Sequence, residues 1–165
     1  MHAPTPAAAD DAAAIVTLRD TLAEGLLAQG IRQWHPGEVD VDDVRDQIAR
    51  GEWYVVRDAG IIGTLRLIWS DQRIWADLVG PDDNHAGYVH GLMVDPDQRG
   101  TGLGQSLLAW AEDQMRAHGR RVARVDCVAS NERLRAHYRA LGYTERGVRD
   151  VDPRWHPLMR FERDL

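Results

Sequence analysis

Residues 89–104 predict a strand, a tight turn and the start of a helix in direct succession. Residues 92–94 are an apolar run that suits a strand, and Pro96 ends it because proline cannot donate to a sheet ladder. The turn that follows has glycine at every second position: Gly100, Gly102 and Gly104. Residues 103–118 have apolar side chains at helical spacing, so the glycines lie at a helix N-terminus. Unpaired N–H groups and the helix dipole favour a phosphate there, and glycine lets it approach the backbone.

Two known phosphate-binding loops do not fit this turn. A Walker-type loop ends in Gly-Lys-Ser/Thr, whereas Gly104 is followed by Gln105 and Ser106. The dinucleotide fingerprint places G-x-G-x-x-G in the first strand–helix unit, whereas these glycines are spaced differently and lie past the middle of the chain. An ordinary strand–helix turn without a ligand remains open as a third interpretation.

A second block of sequence, residues 126–143, has a strand end, Asn131, then Tyr138 seven residues later, and Leu-Gly-Tyr ending at Tyr143. The first block reads Arg-Gly-Thr-Gly-Leu-Gly over residues 99–104. Together the two blocks resemble the acetyl-CoA motifs of the GNAT family of N-acetyltransferases, whose first motif is Gln/Arg-x-x-Gly-x-Gly/Ala. The resemblance covers about residues 89–143, with a looser match in the preceding helices and strands.

The resemblance implies a fold, an activity and a cosubstrate. The fold class is α/β (α+β), with a single mixed, mostly antiparallel twisted sheet, a splayed parallel strand pair at its centre and helices on both faces. The activity is acetyl transfer from acetyl-CoA to a primary amine, by direct attack in a ternary complex, in one domain spanning residues 1–165. The pattern itself supports the parallel pair, because a strand–helix–strand unit makes the strands near Val89 and Val125 parallel.

The resemblance also assigns roles to residues at matching positions. The backbone of one set would bind the pantetheine arm: Leu92, Met93 and Val94. A second set would hold the pyrophosphate: Arg99, Gly100, Thr101, Gly102, Leu103, Gly104 and Gln105. Asn131 would contact the cosubstrate, and Tyr138 would protonate the departing thiolate.

The chemistry of Tyr138 and Asn131 agrees with these roles but allows plainer ones. A tyrosine with a pKa near 10 is protonated at neutral pH and can donate to a thiolate with a pKa of about 8.5. Tyr138 nevertheless shares a helical face with Leu134 and Leu141, which is also typical of core packing. Asn131 precedes a helix, where asparagine is a preferred cap.

Two residues compete for the role of general base. Asp126 matches an acidic position that some peptide N-terminal acetyltransferases of the family use, although an ion pair with Arg124 is an equally good interpretation. His90 lies two residues before Leu92, on the same side of a regular strand, and histidine has a suitable pKa. A water chain to solvent is the third alternative. A covalent acetyl-cysteine at Cys127 is a minor alternative, since Cys127 faces away from Asp126.

The remaining elements follow from periodicity and turn residues. Helices are predicted at 7–28 and 40–50, with Asp10 and Asp11 suited to cap the first, and a helix at 131–141 should end at a left-handed Gly142. Strands are predicted at 53–57, 61–69, 121–129, 143–151 and 156–162. Residues 70–86 predict a surface loop with a short strand near 74–78.

Composition bounds the partners of the protein. With a net charge of −6 over 165 residues, the chain is expected to bind no nucleic acid nonspecifically and to favour a cationic acceptor. The acceptor is expected to be a small cationic amine, an amino-acid derivative or a peptide N-terminus. Acidic residues concentrate near the second helix, which indicates either a solvated helix entrance or a rim that attracts substrate: Glu38, Asp40, Asp42 and Asp43.

Several further expectations are negative or weak. A single cysteine excludes an internal disulfide, and the histidines lack paired metal-ligand spacing, so no metal is predicted. Without a signal peptide or a membrane-length apolar run, a cytoplasmic protein with no membrane association is expected, with a homodimer as one form. An acceptor pocket near Asp150 or Asp152 is one interpretation of four tryptophans, and core packing is the other: Trp34, Trp69, Trp75 and Trp155. The alternative function is a noncatalytic acyl-CoA-binding or sensor module.

Overall fold

The computed structural model describes residues 3–165, which contain helices and the strands of one sheet. The strands in this range are β1 (Thr5–Pro6), β2 (Trp53–Arg57), β3 (Ile61–Ile68), β4 (Ala86–Val94), β5 (Val122–Val128), β6 (Thr144–Arg149) and β7 (Leu158–Asp164). The helices are α1 (Ala12–Leu27), α2 (Val41–Ala49), α3 (Gln72–Trp75), α4 (Leu103–Ala117) and α5 (Glu132–Ala140). No helix of these residues is long and apolar enough to cross a membrane.

The sheet order is β1-β2-β3-β4-β5-β7-β6. β4 pairs with β5 in parallel, in a register that runs from Ala86 opposite Val122 to Val89 opposite Val125. The pairs β1–β2, β2–β3, β5–β7 and β6–β7 are antiparallel. The predicted mixed sheet with one parallel pair is therefore confirmed, and α4 is the crossover that the strand–helix–strand pattern requires.

The chain forms two compact units. The first comprises the chain up to Leu67 together with His90–Ala111, and the second comprises Ile68–Val89 and Glu112–Leu165. β4 and α4 each contribute residues to both units, because the boundaries fall within these two elements.

In the first unit, alternation along β2 directs side chains to helices on opposite faces. Trp53 and Val55 enter a core with Ile15 of α1, Val44 of α2 and the buried Met93. The intervening residue of β2 lies on the other face, where the ring of Tyr54 contacts Trp110 of α4 at 4.7 Å between centroids. Helices therefore cover both faces of the sheet within this unit.

In the second unit, β5 and β7 divide the side chains between two faces. Cα partners in an antiparallel pair point to the same side, and neighbours along a strand point to opposite sides. Arg124 lies opposite Glu162, and Phe161, beside it on β7, lies on the other side. The first face packs on α3 through Trp75, and the second packs on α5, where the Tyr138 ring lies 5.2 Å from Phe161.

The structure corrects the prediction for residues 70–86. The short strand predicted near 74–78 is wrong, because this segment contains the helical turn α3, capped by the Asp71 side chain on the Ile74 N–H at 3.1 Å. Nor is the whole segment surface loop, since Ile74 and Trp75 are 6% and 1% exposed. The two apolar residues are too short a run to reveal a period, and they serve as an anchor for the second unit's core.

The N-terminal segment also differs from the prediction. A 3₁₀ turn at Ala9–Asp11 precedes α1, and β1, which the sequence did not indicate, pairs with β2. The Asp11 side chain does not cap α1. Instead its carboxylate accepts the Ala8 N–H at 2.6 Å and pairs with Arg57 at 2.5 Å.

The acidic residues near α2 have local structural roles. Asp40 caps α2 by accepting the Asp42 N–H at 2.7 Å, as a helix start at residue 40 predicts. Glu38 pairs with Arg19 at 2.7 Å, and Asp42 pairs with Arg45. These contacts favour the solvated helix entrance over a rim that attracts substrate.

Candidate active site

The loop before α4 leaves backbone donors available at the helix N-terminus. A 3₁₀ turn at Pro96–Gln98 is capped by Asp95, whose Oδ1 accepts the Asp97 N–H at 2.9 Å. The Thr101 hydroxyl then accepts the Leu103 N–H at 3.3 Å. The next N–H groups, those of Gly104 and Gln105, donate to no acceptor in residues 3–165. These are the orphan donors that a helix start directs at a ligand.

The three alternating glycines differ in backbone conformation. Gly100 and Gly102 have φ of 77° and 81°, a left-handed conformation that side chains resist, and a Cβ at either would meet no atom within 4 Å. Gly104 has no such conformation, and its Cβ would instead lie 3.5 Å from Cγ2 of Val94. The first two glycines therefore shape the loop and leave open space above it, whereas an added Cβ at Gly104 would make only an ordinary van der Waals contact with β4.

The loop fits the pyrophosphate of acetyl-CoA in its donors and its charge. The Arg99 side chain is exposed and forms no ion pair with a described residue. Gln105 is also exposed, at the first turn of α4. Leu103 differs from these, because its side chain is 4% exposed and packs towards Gly63 of β3. Only the backbone of Leu103 is available to a ligand.

The three residues predicted to hold the pantetheine arm alternate along the end of β4. Met93 is buried in the core with α1 and α2. Leu92 and Val94 lie on the Gly104 side, at 3.8 and 3.5 Å from the position of an added Cβ there. Their side chains are thus committed to packing, so any polar contact to a ligand must come from the backbone, as the resemblance implied.

Gly91 interrupts the regular geometry of β4 next to His90. Its φ is 53°, whereas alternation of side chains assumes extended backbone at every residue. The rule that placed His90 and Leu92 on one side of the strand therefore does not hold across Gly91. His90 is half-buried in the first unit.

In the second unit, Asn131 is the cap of α5. Its Oδ1 accepts the Leu134 N–H at 3.2 Å, its own N–H donates to the Val128 carbonyl at 2.9 Å, and it is 8% exposed. The plainer interpretation of Asn131 is therefore confirmed. A contact with the cosubstrate stays a prediction.

Tyr138 is buried among aromatic rings of the same unit. Its ring centroid lies 5.2 Å from Phe161 and 5.8 Å from Tyr143. Burial raises its pKa above the usual value, and the charged forms of Cys127 and Asp126 raise the pKa further. The hydroxyl donates no hydrogen bond within residues 3–165. Core packing and a protonated hydroxyl thus occur together in this side chain.

Asp126 and Cys127 lie on opposite faces of β5, as predicted. Asp126 is half-buried opposite Arg160, and Cys127 is fully buried opposite Met159. Burial raises the pKa of Cys127 to about 12, with a further contribution from Asp126. The thiol is therefore protonated at neutral pH, which argues against a covalent acetyl-cysteine.

The ion pairs of Arg124 differ from the predicted one. Its side chain pairs with Asp83 and with Glu162, the latter at 2.9 Å, and Nη1 donates to the Tyr88 hydroxyl at 2.7 Å. The sequence could not indicate Asp83 as a partner because it lies 41 residues from Arg124 in the chain. The alternative that Asp126 serves to neutralise Arg124 is weakened accordingly.

The tryptophans proposed for an acceptor pocket include core residues. Trp75 is 1% exposed and belongs to the core of the second unit, and Trp34 packs on the core of the first. Trp155 lies under the guanidinium of Arg73 at 3.9 Å, and Arg73 pairs with Asp152 at 3.3 Å. The pocket interpretation therefore fails for Trp75, which packs as core.

Sequence reasoning missed a buried carboxylate that binds Tyr143. Glu112 of α4, 5% exposed, accepts the Tyr143 hydroxyl at 2.7 Å and pairs with Arg163 at 3.1 Å. The sequence contained one indication that Glu112 is buried. Glu112 follows Leu108 by four residues, which places its carboxylate in the apolar stripe of α4. Its partners are distant in sequence and carry no local pattern.

The model of the acetyltransferase (GNAT) family matches residues 19–143. The chain belongs to the GNAT family of acetyltransferases. It is 31% identical over 148 residues to YesJ of Bacillus subtilis, an uncharacterised N-acetyltransferase, a match that covers 87% of the chain and 82% of that protein. The predicted family, enzyme class and acetyl-CoA cosubstrate are therefore confirmed.

Two solved structures are similar in fold. A GNAT-family acetyltransferase from Listeria monocytogenes aligns with a TM-score of 0.78 at 24% identity, covering 99% of this chain and 94% of that one. The protein yncA from Salmonella typhimurium, solved with its cofactor acetyl-CoA, aligns with a TM-score of 0.70 at 20% identity, covering 99% and 93%. Both likenesses support the fold class. The roles of individual residues stay predictions.

Proposed function

We propose that the protein acetylates a primary amine by direct attack on the thioester of acetyl-CoA, with Tyr138 as the general acid. The observation that carries this proposal is the state of Tyr138: its ring is buried, burial raises the pKa of its hydroxyl so that the hydroxyl is protonated, and the hydroxyl donates to no acceptor in residues 3–165. Such a hydroxyl is available to a leaving group that ends at this position.

The proton balance of the transfer requires an acid and a base. The amine nitrogen bonds to the thioester carbon as the carbon–sulfur bond breaks, and the amine loses one proton to the base. Tyr138 gives its proton to the sulfur and later recovers one from solvent. The raised pKa of Cys127, about 12, indicates that a thiolate desolvated in such surroundings holds a proton strongly, so an acid there assists its departure.

Three groups of residues are proposed to hold the cosubstrate. The orphan N–H groups of Gly104 and Gln105 suit the pyrophosphate, with Arg99 adding positive charge. The backbone of residues 92–94 suits the amide groups of the pantetheine arm, and an N–H there can polarise the thioester carbonyl. Asn131 is proposed to add a polar contact from its position at the start of α5.

Asp126 is the proposed base. It is half-buried on β5, next along the strand to Cys127 and on the opposite face from it. His90 remains the competing base, and a water chain the third possibility. The acceptor is proposed to be cationic, as a small amine, an amino-acid derivative or a peptide N-terminus, since the chain carries a net charge of −6.

We also propose that residues 1–165 act as one domain, in the cytoplasm, with a homodimer as one form. The family match over residues 19–143 includes sequence from both compact units, which supports a single functional domain.

The test combines one substitution with an acceptor screen. Tyr138→Phe keeps the ring and removes only the hydroxyl, so turnover should fall by about 10²–10⁴-fold while acetyl-CoA affinity is retained. Turnover is measured as thiol release from acetyl-CoA across a panel of amines. Near wild-type turnover in the variant would contradict the role of Tyr138. Acetyl-CoA binding without turnover on any amine would instead favour the noncatalytic sensor.

A further inference from the structure

Tyr143 is tied to Tyr138 through the end of α5. Gly142 follows the helix with φ of 86°, and its N–H donates to the Arg139 carbonyl at 3.0 Å. The Tyr143 N–H donates to the Tyr138 carbonyl, also at 3.0 Å. These two bonds form a Schellman motif, which commonly brings the side chains at its two ends into contact. Here those side chains are the Tyr138 and Tyr143 rings, at 5.8 Å and 61°.

The far end of Tyr143 is anchored by a buried carboxylate. Its hydroxyl donates to Oε1 of Glu112 at 2.7 Å, and Arg163 Nη1 contacts both oxygens of Glu112 at 3.1 and 3.2 Å. The Arg163 guanidinium also lies 5.9 Å from the Tyr143 ring. A buried carboxylate requires such partners, so Glu112 fixes the position of the Tyr143 hydroxyl.

The Tyr138 hydroxyl has no comparable anchor of its own. It donates to nothing in the described part of the chain, so the packing of its ring determines the position of the hydroxyl oxygen. Three rings contact the Tyr138 ring: those of Phe161, Tyr143 and the exposed His137, at 5.2, 5.8 and 6.0 Å between centroids. Only Tyr143 is held by hydrogen bonds at both its backbone and its side chain.

We infer that Tyr143, anchored by Glu112 and Arg163, positions the Tyr138 hydroxyl for proton donation and is a positioning residue for acetyl transfer. The inference rests on the proposed function of Tyr138. A lost anchor lets the ring shift, and misplacement of a reacting group by about 1 Å can cost up to about 10²-fold in rate.

The test is a double-mutant cycle with Tyr143→Phe and Tyr138→Phe. Alone, Tyr143→Phe should lower kcat about tenfold at unchanged KM for acetyl-CoA. In the Tyr138→Phe background it should cause no further loss, because both changes act through one hydroxyl. The matched control is Tyr88→Phe, which removes another buried tyrosine hydroxyl, one that accepts from Arg124 at 2.7 Å. That change should lower stability and leave kcat unchanged.

A second readout does not depend on turnover. The chain has four tyrosines, so ¹³Cζ-tyrosine NMR of the protein without acetyl-CoA gives resonances that single Phe variants assign. The Tyr138 resonance should shift or broaden in Tyr143→Phe and not in Tyr88→Phe. Glu112→Gln, which keeps an acceptor but loses the Arg163 ion pair, should give a smaller loss of kcat and serves if Tyr143→Phe does not fold.

The outcomes separate this inference from the proposed function. One outcome is that Tyr143→Phe lowers kcat by the same factor in the wild-type and the Tyr138→Phe backgrounds. That result would mean that Tyr143, Glu112 and Arg163 only stabilise the fold, and it would overturn the inference. Unchanged kcat and an unchanged Tyr138 resonance in folded Tyr143→Phe would overturn it as well, while a low kcat in Tyr138→Phe left the proposed function intact. Unchanged kcat in Tyr138→Phe would reject both.

Discussion

A Cβ atom on Gly91 would lie 2.7 Å from the Cη2 atom of Trp53. Gly91 also has φ of 53°, which side chains resist, so two separate features demand glycine at this position in β4. Trp53 cannot easily move aside. It is 6% exposed, and its indole N–H donates to the Gln47 side chain at 2.8 Å. The irregular backbone just before residues 92–94 is thus held in place by the core of the first unit.

Gly91→Ala should therefore destabilise the protein by about 2–4 kcal/mol, combining left-handed strain with overpacking. Gly51→Ala is the matched control, since Gly51 has φ of 75° but no atom within 4 Å of an added Cβ, and it should cost about 1 kcal/mol. The measurement is urea unfolding of both variants. Equal losses of stability in the two variants would mean that Trp53 moves aside for the added Cβ and that the cost comes only from the left-handed backbone.

Much of the fold was predictable because its determinants are local. β2 has the predicted bounds, Trp53–Arg57, since its residues show a clear strand composition between turn signals. Asn131 and Gly142 were recognised as the start and end of α5 because caps depend on a few adjacent residues. The loop before α4 was predicted for the same reason.

The parts that were missed depend on distant residues or on very short elements. β1 has two residues, one of them proline, and α3 has four, so neither shows a period. Arg124 joins Asp83 and Glu162, and Glu112 joins Tyr143 and Arg163, through pairings that only the tertiary fold creates. A charge predicts that a partner exists without indicating which one.

Gly102→Val should weaken acetyl-CoA binding by about 10–100-fold, the effect of losing roughly one hydrogen bond to a charged group. The valine would disturb a left-handed loop and fill the open space above it. Gly119→Val is the control, because Gly119 has φ of 71° and equally open surroundings but lies after the end of α4. Calorimetry should show normal affinity in the control. Normal affinity in Gly102→Val would exclude the loop as the pyrophosphate site.

Acceptor charge should appear in the salt dependence of kcat/KM. A net charge of −6 attracts a cationic amine over distances that salt screens, so kcat/KM should fall as ionic strength rises. A neutral amine of similar size is the control and should show a weaker dependence. A preference for the neutral acceptor with a flat response to salt would contradict a cationic substrate.

The pH profile of kcat should lack a falling limb below about pH 10. Tyr138 acts in its protonated form, and burial raises its pKa, so the active form persists to a higher pH than that of an exposed tyrosine. The measurement is kcat from pH 6 to 10 in wild type and Tyr138→Phe, with about the same shape expected in both. A falling limb below pH 10 that Tyr138→Phe removes would show that the hydroxyl ionises too easily for the proposed environment.

The last prediction concerns the base, where Asp126 and His90 give opposite expectations. If Asp126 accepts the amine proton, Asp126→Asn should lower kcat/KM by about 10²-fold or more at neutral pH. The deficit should shrink at high pH, because the acceptor amine is then already neutral. His90→Ala should show no such recovery.

The control for these variants is folding, since Asp126 lies opposite the buried Arg160 on β7 and its loss can act on stability alone. Unfolding midpoints at each pH therefore accompany the rates, because a loss of stability does not by itself produce a deficit that high pH reverses. Recovery at high pH in His90→Ala, with none in Asp126→Asn, would reverse the assignment. If kcat/KM recovers at high pH in neither variant, a water chain would be the proton acceptor. Asp126 would then have only a structural role opposite Arg160.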